Sequence, residues 1–191
     1  MTIQKTFYEF INIMLEKDEK MKNRLMIVVI LGLCLSFCGI ALAQDDIKNF
    51  PACKYCGMDR EKFAHSRVLV EYEDGTAEGT CSIHCMAIEL ASRIDKTPKA
   101  IWVGDMNTKK LIDAGMASWV MGGGKPGVMT RRAKWAFEQK EAADHFVKEN
   151  GGTPASFDEA IKASYEDMYA DTKMIRERRK MAREMRGGHK H

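Results

Sequence analysis

The sequence predicts an α+β domain: a small, mostly antiparallel sheet with helices packed on one side, followed by a C-terminal helical tail. Three observations carry this. Residues 67 to 73, R-V-L-V-E-Y-E, alternate with period two and run into Asp74-Gly75, a hairpin turn signal. From Ser82 the apolar spacing changes to that of one helix face, through Ile83, Ala87, Leu90, Ala91 and Ile94. After Gly151-Gly152 a long segment shows helical spacing again.

The chain ahead of this domain reads as an export segment. From Met21 it carries Lys22 and Arg24, then nineteen uncharged residues from Leu25 to Ala43 that end in Ala41-Leu42-Ala43. A basic start, an apolar core and a small-x-small cleavage site form the pattern of a secretory signal over 21–43. If retained, residues 25–43 are long enough to anchor the chain in a membrane. Either way the domain is expected outside the cytoplasm, periplasmic or exported. Residues 1–20 are charged and only weakly amphipathic, so Met21 is expected as the native start and 1–20 as a non-native extension. Lipidation at Cys38 is disfavoured by the bulky Phe37 before it. Cleavage after Ala43 leaves 148 residues, enough for one domain with its own core. Within them, residues 44–152 form the expected domain and 153–191 a helix with a basic tail.

In the first strand, Val68, Val70 and Tyr72 face the core while Glu71 and Glu73 face the other way, and Thr76 to Thr80 return antiparallel. The helix from Ser82 is closed by Thr97-Pro98. Ala100 to Gly104 (A-I-W-V-G) and Ala117 to Met121 (A-S-W-V-M) read as strands, and Gly122 to Gly127 as a loop. Trp135 to Phe137 is a short strand, and Lys140 to Lys148 a short helix stopped by Asn150-Gly151-Gly152. The last helix opens near Ser156 or Asp158, with Phe157, Ile161, Tyr165, Met168, Thr172 and Ile175 as its inner face. Beyond Ile175 it turns basic through Arg176 to Arg186 and ends G-G-H-K-H. Met174, Met181 and Met185 share one helical face there, followed by His189 and His191. They read either as exposed soft-metal ligands or as part of a solvated basic helix.

The formal charge of +3, with 30 Lys/Arg against 27 Asp/Glu, gives no sign of a nucleic-acid partner. No nucleophile–base pair or phosphate loop calls for catalysis, so binding rather than turnover is expected. The informative residues are sulfurs. Of six cysteines, Cys34 and Cys38 leave with the signal. Cys53, Cys56, Cys81 and Cys85 remain, in a compartment where disulfides can form.

The four are spaced C-x2-C, then C-x3-C. If Ser82 caps its helix, Cys85 takes the third helical position, where free N–H groups and the positive end of the helix dipole favour a thiolate. His84 lies in the same turn. Four thiolates at one point suit zinc. Two disulfides fit the same positions, and Cys53-x-x-Cys56 alone also matches a thiol–disulfide oxidoreductase pair, although no strand precedes it. Spacing leaves these alternatives open. Met58 turns the reading toward Cu(I), because a thioether is a poor zinc ligand, a good Cu(I) ligand and immune to disulfide formation. Gly57 lets the backbone turn so that Cys56 and Met58 can face one ion. Met129 follows the glycine loop as a mobile ligand would, while the default for any one of fourteen methionines is core filler.

C-K-Y-C-G-M, the strand and D-G turn, the A-S-W-V-M strand, the glycine loop ending in Met129, Ala136-Phe137 before a helix, and Gly151-Gly152 together resemble the NosL family. These are exported accessory proteins of nitrous oxide reductase maturation that bind Cu(I). The similarity runs from about Cys53 to Gly152. It implies soft sulfur ligation by Cys56 and Met58, with Met129 as the methionine closing the glycine loop and Cys53 as the first cysteine of two-cysteine versions of the motif. It implies a metallochaperone with Cu(I) as cargo, and zinc as the alternative metal. The partner it implies is a periplasmic copper enzyme, nitrous oxide reductase, or its copper-delivery and assembly machinery. Members are commonly lipoproteins, from which this signal departs. Cys81, His84 and Cys85 have no counterpart in that pattern. They are expected as a second metal pair, a disulfide or further ligands of one enlarged site. A periplasmic thiol oxidoreductase, or a structural zinc or disulfide module, is the competing function.

Overall fold

The structure, a computed structural model, describes residues 46–187. The extension expected over 1–20, the export segment over 21–43, and His189 and His191 lie outside those residues. Among the described residues, no helix is long and apolar enough to cross a membrane.

A single helical turn, α1 (Asp46–Asn49), leads into an irregular stretch that carries Cys53 and Cys56. The hairpin β1 (Val68–Tyr72) and β2 (Ala77–Thr80) follows, then α2 (Ile83–Ser92), β3 (Pro98–Gly104) and β4 (Leu111–Asp113). After these come β5 (Ser118–Met121), β6 (Lys134–Phe137), α3 (Lys140–Asn150), β7 (Thr153–Ala155) and the long α4 (Phe157–Gly187). The fold is α+β, and its antiparallel strands divide into two sheets, ordered β2-β1-β3-β4 and β6-β5-β7. Asp105 joins them. It bridges to Ala136 of β6, and its Oδ2 accepts a 2.8 Å bond from the Glu138 N–H.

β1 is paired on both sides, which explains its near-continuous apolar character. The hairpin turn forms as its sequence directs: Gly75 takes φ +81°, and Asp74 Oδ1 accepts from the Thr76 N–H and hydroxyl at 2.9 and 2.6 Å. α2 stops earlier than its apolar spacing suggests. Ser92 is its last residue, Arg93 caps it, and the following turn throws Ile94 outward to 92% exposure. Ser82 occupies the N-cap with extended backbone but makes no side-chain cap bond.

Two strands escape a sequence reading. β4 and β7 are three residues each and exist because β3 and β5 offer them an edge. β7 tolerates Pro154 because it pairs on one side only. The segment after Gly152, set apart in the sequence, is continuous with the domain: β7 extends the second sheet, and Phe157 stacks on Trp119 at 5.9 Å. Ser156 and Glu159 open α4 with a reciprocal capping box, the Ser156 N–H to Glu159 Oε2 at 2.7 Å and the Glu159 N–H to Ser156 Oγ at 3.2 Å. Of the inner face expected for α4, Phe157 and Ile161 pack against the core, but the fully buried positions beside them are small. Ala160, Ala163 and Ser164 are buried against α2, whereas Tyr165 is 44% exposed. Small residues let the two helices approach, which rotates Tyr165 out of the contact.

The core has two parts. One is built on the first sheet and reaches Trp119, with Val68, Val70, Tyr72, Ile83 and Met86. The other holds Cys53, Cys81 and Cys85 together with Trp135, Phe137 and Phe146.

Candidate metal centre

The C-K-Y-C-G-M stretch is a closed loop. Ala52 and Asp59 bridge across its base, the Cys53 N–H donates to the Met58 carbonyl and the Gly57 N–H to the Cys53 carbonyl, both at 2.8 Å. Gly57 sits at φ +71°, a conformation that costs a side chain dearly, and this reversal turns both cysteines toward α2. Cys81 ends the return from β2, and Cys85 follows the Ser82 N-cap by three residues, in the first turn of α2. Hairpin and helix start therefore deliver the second pair of thiols to the loop that carries the first.

All four sulfurs lie within 4.8 Å of one another. Cys56 Sγ is 3.4 Å from Cys81 Sγ, which is 3.7 Å from Cys85 Sγ. A metal held tetrahedrally at about 2.3 Å from each sulfur needs sulfur–sulfur edges of about 3.8 Å, so the cluster is of the size a tetrathiolate needs. The four cysteines are free rather than disulfide-bonded. Cys53, Cys81 and Cys85 are buried and Cys56 is half-buried, which makes Cys56 the accessible edge of the cluster.

The thiols share their protons. Hydrogen bonds from Cys56, Cys81 and Cys85 hold Cys53 far below its ordinary value. For Cys56 the bond with Cys53 pushes upward, but those from Cys81 and Cys85 carry it down overall. Cys81 and Cys85, bonded to Cys53 and Cys56 and desolvated, are pushed up. The free N–H groups opening α2 add positive potential, and Arg176 and Arg179 of α4 line a pocket of about 150 Å³ beside Cys56 and Cys85. Arg179 Nη2 also donates to the Cys56 carbonyl at 2.8 Å.

His84 is not in the four-sulfur group. It lines the small pocket, and its Nδ1 faces Asp171 Oδ2 of α4 at 3.6 Å, both atoms lacking a hydrogen-bond partner. Burial lowers the His84 pKa, with Asp171 opposing. Met58 and Met129 lie in a neighbouring cavity of about 440 Å³, and Met129 lines the small pocket as well. In the glycine loop the Gly124 N–H donates to the Asn150 carbonyl at 2.6 Å, and a Cβ on Gly127 would sit 2.8 Å from Thr130. Met129 itself holds φ +62°. In the tail, Met174 is 6% exposed, parting from Met181 and Met185 at 51% and 69%.

Sequence reasoning missed the polar residues that hold the loop. Buried Glu89 of α2 accepts from the Tyr55 hydroxyl, from the Tyr72 hydroxyl at 3.0 Å and from Lys54 Nζ at 3.5 Å. It thereby ties the two residues between Cys53 and Cys56 to the helix that carries Cys85. Burial first and Glu89 second push the Tyr55 hydroxyl up to about 12. Glu89 lies one helical turn beyond Cys85, and a carboxylate on the thiol-bearing face was the available signal. On the other side of the loop, Arg60 is fully buried. It donates to Asp46 Oδ2 at 2.8 Å and to the carbonyls of Asp46, Phe50, Val68 and Thr80 at 2.7–3.0 Å. Arg67 Nε reaches the same carboxylate oxygen at 2.9 Å. Gly79 lets Arg60 cross β2, since a Cβ there would lie 2.7 Å from the guanidinium carbon.

An α+β domain in which a loop and a helix start bring four cysteines to one partly buried point is a thiol-cluster domain fit to hold a soft metal ion. The family model for NosL matches residues 44–165, and the chain belongs to the NosL family. Among solved structures it is similar to the crystal structure of the copper chaperone NosL from Shewanella denitrificans, at 22% identity and a TM-score of 0.46, over 56% of this chain and 87% of that one. No curated protein matches it.

Proposed function

We infer that this is an exported Cu(I)-binding metallochaperone, which holds the ion at the Cys53, Cys56, Cys81 and Cys85 cluster and surrenders it by ligand exchange. The observation that carries the reading is the meeting of four thiols of which Cys56 alone is half-open, with the thioethers of Met58 and Met129 in the adjoining cavity. Buried thiolates retain a soft cation. An accessible edge next to neutral thioethers gives a partner's ligands a place to attack without unfolding the site. Membership of the NosL family supports copper as the cargo and a periplasmic copper enzyme, nitrous oxide reductase, as the recipient.

The chain's own residues do the work. The Gly57 reversal and the Glu89–Tyr55 bond set the loop, the start of α2 stabilises thiolate charge, and the surrounding aromatic core keeps water from three of the sulfurs. No electron moves in such a transfer.

Zinc is the second reading, and the gathering of four thiols at one point favours it. Anaerobic competition against a colorimetric Cu(I) chelator separates the two. The wild-type protein is expected to win Cu(I), and a Cys56→Ser, Met58→Ala double variant to lose affinity by roughly a hundredfold. Stoichiometric zinc that resists chelators, with unchanged Cu(I) affinity in the double variant, overturns the copper reading. Mass spectrometry of exported protein, expected to begin at Gln44, tests the compartment.

A further inference from the structure

Resting on the soft-metal reading above, we propose that the exposed basic face of α4 is a docking surface for an acidic segment of a partner protein, which it seats against the open edge of the thiol cluster at Cys56. The charges of α4 divide along the helix. In its first half, carboxylates are engaged within the domain: Glu159 closes the capping box, Glu166 and Asp167 pair with Arg132, Asp167 also pairs with Lys134, and Asp171 accepts from the Arg131 N–H. From Arg176 to Met185 the helix carries Arg176, Arg178, Arg179, Lys180 and Arg183 against Glu177 and Glu184. Glu184 lies 3.9 Å from Lys180, and among the described residues no carboxylate pairs with any of these arginines.

Their position distinguishes them from an ordinary solvated helix face. Arg176, Arg179 and Arg183 are spaced i, i+3 and i+7, which places them on one side of the helix. That side begins at the metal centre. Arg176 and Arg179 line the pocket of about 150 Å³ with Cys56 and Cys85, and Arg179 Nη2 donates to the Cys56 carbonyl at 2.8 Å. Cys56 is the half-open thiol of the four. The sulfur that a partner can reach is therefore bordered by a row of guanidiniums leading outward along α4. The row lies beyond residue 165, where the match to the family ends.

One exposed ion pair binds weakly, but several like charges bordering a cleft raise the local concentration of an opposite charge and speed encounter. Guanidiniums suit carboxylates, whose two oxygens their planar fork meets with paired hydrogen bonds. A thiolate cluster by itself repels such a group, and the arginines reverse that sign at the cluster's edge. The partner is thus a protein whose own soft-metal ligand is flanked by Asp or Glu. A membrane surface fits less well. An interfacial helix sets large apolar residues against lipid. Beyond Ile175 the exposed large apolar side chains are Met181 and Met185, on the side of the helix away from Arg176, Arg179 and Arg183.

Three peptides of one length test this, each with a single cysteine flanked by glutamates, by glutamines or by lysines. Added at low salt to the full chain, reduced and metal-free, the glutamate peptide should shift the amide NMR signals of Cys56, Arg176, Arg179 and Arg183. It should bind about tenfold more tightly than the glutamine peptide, and the advantage should shrink as salt is added. The lysine peptide should leave the signals in place. Arg176→Gln with Arg183→Gln should abolish the advantage, whereas Lys99→Gln with Lys148→Gln, which removes the same charge from exposed positions elsewhere, should keep it. Equal binding of the glutamate and glutamine peptides, or an advantage that survives Arg176→Gln with Arg183→Gln, overturns the proposal. So does binding to vesicles of phosphatidylglycerol and phosphatidylcholine that depends on the same arginines while the glutamate peptide shifts nothing. These measurements need no bound ion, which separates the proposal from the reading on which it rests. If the cysteines hold no Cu(I), loading fails while the glutamate peptide still docks; if the docking surface is absent, the protein loads while that peptide gains no advantage.

Discussion

The two parts of the core are held by different physics. Around Val70, Ile83, Met86 and Trp119, strand pairing and apolar packing dominate. Around the cysteines, the segment from Pro51 to Arg67 closes on itself through turn hydrogen bonds, and buried polar side chains tie it to its neighbours. Arg60 answers four carbonyls, Arg67 and Arg60 share the Asp46 carboxylate, and Glu89 gathers Tyr55, Tyr72 and Lys54. The difference teaches why the site can be both fixed and exchangeable: its ligands ride on a loop whose geometry comes from polar contacts made once the hairpin and α2 are in place.

The largest effect should come from cutting those contacts at their centre. Arg60→Met leaves four carbonyls without their donor and removes half the compensation of a buried carboxylate, a loss of about 3–5 kcal/mol in stability. Trp119→Ala in the sheet-based core should cost a similar amount, about 3–5 kcal/mol, by cavity formation. Urea denaturation of the metal-free variants measures both. The comparison is decided by chelator competition on protein that remains folded: Arg60→Met should bind the metal more weakly, and Trp119→Ala should bind it as the wild type does. Equal metal affinity in the two would mean that the loop holds its shape without Arg60.

A smaller, more local effect is expected at Glu89. Glu89→Gln keeps the shape but weakens the charge-assisted bonds to Tyr55 and Tyr72, for about 1–3 kcal/mol. It releases the two residues between Cys53 and Cys56 while leaving the helix that carries Cys85. Metal affinity should fall further, relative to the stability lost, than in any substitution on the first sheet. X-ray absorption of the loaded variant should then count fewer sulfur neighbours; an unchanged count would make Glu89 a stability residue alone.

The division also explains what a sequence can disclose. The β1–β2 hairpin and the start of α2 were legible because their signals are local: a period of two, an Asp-Gly turn, and a change of period at Ser82. β4 and β7 were not, because three residues such as Leu111–Asp113 carry no period of their own. The spacing of the cysteines named the sulfurs without deciding whether they meet. That meeting depends on Arg60 finding Asp46 fourteen positions away and on Tyr55 finding Glu89 thirty-four positions away. Residues of opposite charge or matching polarity are common, and nothing in their order says which will be buried together. Ile94 and Tyr165 failed as core residues because an apolar stripe indicates a face only as long as the helix continues and its neighbour is large enough to need it.

The smallest effect is one of acidity, and it too should fall on the sulfur side. His65 lies between Phe63 and Trp135, with ring centroids 6.2 and 5.7 Å away, and burial lowers its pKa, helped by Lys109 and Lys125. The folded protein therefore favours the neutral ring, while the unfolded chain takes up its proton near pH 6.5, by about its ordinary value. Stability from this difference is present above that pH and is lost as pH falls through the lowered folded value. The denaturation midpoint of the metal-free protein should decline on acidification below about pH 6.5. His65→Phe, which preserves the ring stacking, should decline less, and the contribution of the cysteines, common to both proteins, cancels in the difference. Amide hydrogen exchange locates the change: protection around Trp135 should fall with pH before protection in β1 does. Parallel loss in both regions would show that they open as one unit and that the sulfur side has no acid response of its own.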